Sequence, residues 1–281
     1  MLKVGLGLRT LLCASMLFAA ICSYADPVVE RGFQQTLDGR SLAENAIAVV
    51  NLLVGDAALA LEPAWVELPG NVSSRVAVYV VDDRQGTVVT PAAVPNGCRC
   101  VFIFPAVVTE WVRRNSAGLG RIQLDAEQFL SFILLHEVGH LKMGTPGAVF
   151  REGRLSQLNV EPSRAKVAEE DADNFAADLL KARMAKTPVG EVSLAANWVV
   201  LELTKLSWNM QAFRTLDEFG SFAVGKPLVF FDDGYSHPNL AWRILRVADR
   251  IQGSQETRYL LDAFEEARIR GANPAPLYQR Q

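Results

Sequence analysis

The sequence predicts an α+β fold on two observations. Short runs dense in β-branched and aromatic residues fall between positions 76 and 104, and from position 105 onward the apolar residues recur at helical spacing. Strands first and helices afterwards imply a small sheet packed on a mainly helical body. At 281 residues, half of them hydrophobic and 21% charged, the chain has enough apolar material to build such a core.

The first 25 residues read as an export signal rather than as part of that core. Lys3 and Arg9 form a basic start, 11–22 a short apolar stretch, and Ser23-Tyr24-Ala25 a small-x-small cleavage site. About twelve apolar residues are too few for a bilayer span, which needs about twenty. The mature chain is therefore expected to start at Asp26, in the periplasm or outside the cell. The formal charge is −3, and loss of Lys3 and Arg9 leaves −5, so no global field draws the chain to nucleic acid. The most apolar later stretch, 194–208, is interrupted by Asn197, Glu202 and Lys205 and reads as a buried helix, so no membrane span is expected in the mature chain.

The elements follow in order. Residues 41–61 are rich in alanine and aliphatics and predict a helix. The runs 76–81 and 101–104 predict strands, bounded by the turn-like DDRQG and PNGCR, and the second offers an edge along which an extended peptide adds. Helices are predicted over 106–113, 126–143, 162–185, 191–213, 240–251 and 255–268. One domain is expected over 26–270, with a flexible tail at 271–281. Removal of the signal leaves two cysteines, Cys98 and Cys100. In an oxidising compartment they close on each other, bond to another chain or stay reduced.

The chemistry concentrates in the helix predicted at 126–143. Asp125 with Gln128 forms a capping box and Gly144 a stop, so the stretch FILLHEVGHLKMG lies on about five turns. His136 and His140, four apart, share one face, close enough for both rings to hold one tetrahedral metal ion. Glu137 sits about 100° round the helix, out of ligation but within reach of a water on that ion. This is the HExxH pattern.

Two histidines need a further protein donor. In the acidic cluster AEEDADNFAADLL, with Glu169 set at 0°, Ala172, Phe175, Ala176, Leu179 and Leu180 fall on one apolar face that also contains Glu169. An unpaired carboxylate facing a core is costly, so Glu169 is expected to face a cation there. Asp173, at about 40°, lies at the edge of that face, placed to accept a hydrogen bond from a ligating histidine. Glu170 and Asp171 point away and read as a solvated helix start. His237, the only other histidine, precedes Pro238 ahead of an amphipathic helix; near a metal site Tyr235 or His237 would donate to an oxyanion, or His237 would cap the open coordination position.

HEVGH, then EEDAD read as E-x-x-A-D, then SHPNLAWRI read as H-P followed by R-I, stand in the order seen in the gluzincin metallopeptidases. Across about residues 130–247 the chain resembles the branch with the bacterial HtpX-type membrane proteases and their soluble periplasmic relatives in envelope quality control. The resemblance implies a zincin-like fold and one zinc ion on His136, His140 and Glu169. It further implies Glu137 as acid/base, Asp173 as support and His237 as a pocket residue, with polypeptide substrates, unfolded or misassembled. The sequence departs at HLKMGTPG, where close members carry a basic-His pair. The alternatives are an exported chaperone or assembly factor with a non-catalytic metal, a secreted toxin protease, or a zinc hydrolase of non-peptide substrates.

Overall fold

A computed structural model describes residues 26–65, 75–118, 120–145, 147–156, 162–186, 190–210, 238, 240–255, 257–259 and 261–262. It is a mixed α+β structure, mostly helical, with a small sheet. The elements are α1 (Pro27–Glu30), β1 (Gln34–Gln35), α2 (Arg40–Val54), β2 (Leu61–Pro63), β3 (Val76–Asp82), β4 (Ala92–Ala93) and β5 (Cys100–Ile103). After them come α3 (Pro105–Ser116), α4 (Ala126–Met143), β6 (Val149–Arg151), β7 (Arg154–Ser156), α5 (Pro162–Lys186), α6 (Glu191–Met210) and α7 (Leu240–Gln252). Among the described residues no helix is long and apolar enough to cross a membrane.

β3 is the centre of the sheet. β5 pairs with it in parallel on one side, and β2 (parallel) and β1 (antiparallel) pair with it end to end. β4 then pairs antiparallel with β5. Alternation sorts the strand side chains onto two faces. Val76, Val78, Val80, Val101 and Ile103 face the helices, while Val81, Cys100, Phe102 and Phe104 face a second, aromatic layer with Phe33 and Phe150. Phe33 meets Phe150 and Phe104 edge-on at centroid distances of 5.3 and 5.6 Å.

The structure corrects two expectations. The helix predicted over 41–61 stops at Val54, because Gly55 adopts a left-handed φ of 64° and its N–H donates to Asn51 O. Leu61 is instead recruited to the sheet: its N–H donates to Asn51 Oδ1, and Asn51 Nδ2 donates back to Leu61 O. The strand at 101–104 is no edge, since β5 lies between β3 and β4 and its ladder groups are spent on both. The outer strand on that side is β4, and just after it Ala148 N–H donates to Val94 O and Asn96 N–H to Ala148 O, both at 2.8 Å. Cys98, in the turn after β4, forms a local disulfide with Cys100, the first residue of β5. The segments 1–25, 211–237 and 271–281, and with them the export signal, Tyr235, His237 and the tail, lie outside the described residues, as does most of the helix expected at 255–268.

α4 runs through the middle of the helical body, packed by α2, α5 and α6. From Phe129 to His140 almost every side chain is buried, which is why its sequence is apolar all round. Gly139 makes the closest approach: a Cβ there would stand 2.9 Å from Ala172 Cα, so α4 and α5 cross almost backbone to backbone. α7 packs across α5 and α6.

Candidate metal centre

The crossing at Gly139 brings one turn of α4 against one turn of α5 and sets the positions of the titratable side chains. His136 and His140 project from the same face of α4, with their Nε2 atoms 3.0 Å apart and their rings perpendicular. Glu169 of α5 lies opposite, Oε2 3.3 Å from His136 Nε2 and Oε1 3.4 Å from His140 Nε2. The histidines are buried and Glu169 nearly so. Each of the three offers one ligand atom, all within 4.8 Å of one another.

Those spacings can be tested against an ion. Tetrahedral ligation at about 2.0–2.1 Å puts neighbouring donor atoms about 3.3 Å apart. The imidazole pair at 3.0 Å is near that edge length, and each Nε2 has one Glu169 oxygen near it, Oε2 at 3.3 Å from His136 and Oε1 at 3.4 Å from His140, so the carboxylate faces both rings. Ordinary hydrogen bonding would not call for two imidazoles and a carboxylate to converge on one point inside a core.

The outer nitrogens decide which lone pairs face inward. His136 Nδ1–H donates to Asp173 Oδ1 at 2.9 Å. His140 Nδ1–H donates to Thr145 Oγ1 at 2.8 Å, and the Thr145 hydroxyl donates on to His140 O. Both networks place a proton on Nδ1, so that in the neutral ring Nε2 is the acceptor, the tautomer a metal ligand requires. Thr145 reaches His140 because Gly144, at φ 64°, turns the chain back at the end of α4.

Arg243 of α7 closes the site from the far side. Its Nε donates to Asp173 Oδ2 at 2.7 Å and its Nη2 to Asp173 Oδ1 at 3.0 Å, while Nη2 lies 3.1 Å from Glu169 Oε2. Burial would raise the Asp173 pKa, but the Arg243 charge and the His136 hydrogen bond hold it well below the usual carboxylate range. For His136 burial works downward, yet hydrogen bonds to Asp173 and Glu169 prevail and the ring is pushed up to about 10. Without a metal, therefore, His136 carries a second proton that an ion has to displace.

Glu137 points away from Asp173 toward the sheet, where it accepts the Val94 N–H at 2.9 Å through Oε2. Burial raises its pKa, and the histidines oppose that rise. A buried carboxyl whose pKa is raised, beside two imidazoles, is suited to taking and returning a proton.

The structure thus brings together His136, Glu137, His140, Glu169 and Asp173. Arg243, Thr145 and Val94 have no assigned part in the sequence reading. Arg243 carried a signal, the R-I of SHPNLAWRI; Thr145 and Val94 carried none, because a threonine after a helix stop and a valine in an irregular run are commonplace.

Comparison with curated proteins and with solved structures finds no match to either. Among protein families, the model of Peptidase U49 matches residues 126–263, just under half of the chain. That span runs from the start of α4 through α5 and α6 to beyond the end of α7, and so contains His136, His140, Glu137, Glu169, Asp173 and Arg243. The likeness supports a peptidase, and the His136, His140 and Glu169 group is consistent with one that uses a metal.

Proposed function

We propose that the chain is an exported zinc-dependent endopeptidase. The observation that carries this reading is the convergence of His136 Nε2, His140 Nε2 and the Glu169 carboxylate, one ligand atom of each within 4.8 Å of the others, with Glu137 buried beside them. The Peptidase U49 match over the same residues supports hydrolysis of peptide bonds.

In this reading His136, His140 and Glu169 hold one ion. Bound there, zinc supplies Lewis acidity, acidifying water and polarising a carbonyl. Glu137 takes the proton of the attacking water and delivers it to the leaving amine. Asp173 and Thr145 keep both imidazoles oriented through their Nδ1 protons. His237 or Tyr235 donates to the carbonyl oxygen as it gains charge, or His237 caps the open position. The motif order resembles gluzincins of the HtpX-type branch, which supports a role in envelope protein quality control, in the periplasm or beyond the cell, on unfolded polypeptides. A buried carboxylate such as Glu137 beside the metal group favours catalysis over a purely structural or chaperone role.

The test is Glu137→Gln in the purified mature chain. It should retain one zinc per chain while losing digestion of unfolded casein, and a chelator should abolish the wild-type activity. Activity surviving Glu137→Gln would overturn the role of Glu137, and wild-type activity indifferent to chelators would overturn the metallopeptidase reading.

A further inference from the structure

Three arginines of α7 reach carboxylates of α5: Arg243 with Asp173, Arg246 with Glu170 and Arg250 with Asp178. The Arg250 pair is bidentate, at 2.6 and 2.8 Å, and its side chains are 43% and 57% exposed. It docks one helix surface on another and touches nothing else in the site. Arg243 is 11% exposed, and its guanidinium contacts two carboxylates at once. One of them, Asp173, orients His136; the other, Glu169, is the carboxylate of the metal group.

We infer that Arg243 is a positioning residue that ties the docking of α7 to the geometry of the metal group; the inference rests on the metal reading proposed above. Glu169 and Asp173 are one helical turn apart on α5 and converge on the same imidazole, so without a cation between them they repel inside a low-dielectric interior. The planar fork of Arg243 satisfies both and fixes where each oxygen sits.

Charge and positioning predict opposite signs. Acting by charge alone, Arg243 repels the metal, and its removal tightens binding. Acting as a positioning group, it holds Glu169 and Asp173 in place, and its removal weakens binding. The experiment is a zinc titration of the full chain against a competing chromophoric chelator, with the cobalt absorption spectrum as a second readout. It compares wild type, Arg243→Met, Arg243→Lys and the control Arg250→Met.

Arg243→Met should weaken zinc binding about 10- to 100-fold and alter the tetrahedral cobalt bands. Arg243→Lys, which keeps the charge but lacks the fork, should recover part of the loss. Arg250→Met should bind zinc within about twofold of wild type although it removes an ion pair from the same two helices. Zinc binding by Arg243→Met as tight as wild type, or tighter, overturns the inference and leaves the peptidase reading standing. If that variant does not fold, Arg243→Lys binding as tightly as wild type overturns it. A wild-type chain that binds no zinc removes the metal reading and this inference together.

Discussion

Gly139→Ala sets two effects of similar size against each other. Gly139 lies between His136 and His140, and a Cβ there would stand 2.9 Å from Ala172 Cα, 3.0 Å from Ala172 O and 3.2 Å from Ala172 Cβ. Ordinary carbon contact needs about 3.5 Å, so α4 and α5 must part by about half an ångström at this level. Within the helix alanine is favoured over glycine by about 1 kcal/mol. Overpacking a filled interface costs about 1–3 kcal/mol. The balance is a net loss of about 1 kcal/mol, which lowers Tm by about 2–4 °C in a chain of this size.

The larger consequence is local. Ala172 adjoins Asp173 and lies one turn from Glu169, so the displaced part of α5 carries both carboxylates away from the histidines. A site that depends on placement to about half an ångström then binds zinc at least about tenfold more weakly. The assay is thermal denaturation of the chelator-treated chain beside a zinc titration of the folded one. An unchanged zinc affinity, together with a Tm raised by helix propensity alone, would refute the reasoning.

Other outcomes follow from single contacts. Thr145→Val removes the acceptor of His140 Nδ1–H with little change in shape; zinc affinity should fall about tenfold in a competition titration, and an unchanged affinity would remove Thr145 from the site. In the metal-free chain the His136 pKa stands at about 10 against an ordinary 6.5, so its contribution to stability is complete below pH 6.5 and fades as pH rises toward 10. Chelator-treated chain should therefore lose Tm across that window, and zinc should flatten the loss by replacing the Nε2 proton; a flat profile with chelator would contradict the His136 assignment. Asn51→Ala breaks both bonds to Leu61 and should cost about 1–3 kcal/mol in denaturant unfolding; no change in midpoint would show that the β2 start is held by other means.

What the sequence made legible was what one helix can state by itself. The pair His136 and His140 is a spacing of four on a single element, and the face of Glu169 follows from a wheel over α5. Asp173 sits one turn farther along that same wheel. Contacts that depend on distant pairing were not readable. Arg243 meets Asp173 across 70 positions, and Glu137 meets Val94 across 43. The sheet shows the same divide: β3 and β5 have long β-branched runs, whereas β1, β2 and β4 are two or three residues long, too short for any period to register. The misplaced helix end at 55–61 has a related cause. Residues 57–61 are good helix formers, and the turn at Gly55 and the closure of Asn51 on Leu61 override that propensity.

The most direct measurement is X-ray absorption at the zinc edge on the purified chain. Two imidazole nitrogens and carboxylate oxygen around one ion per chain are expected, with no sulfur. Sulfur scattering from Cys98 and Cys100, or no stoichiometric ion at all, would contradict the claim that His136, His140 and Glu169 share a metal.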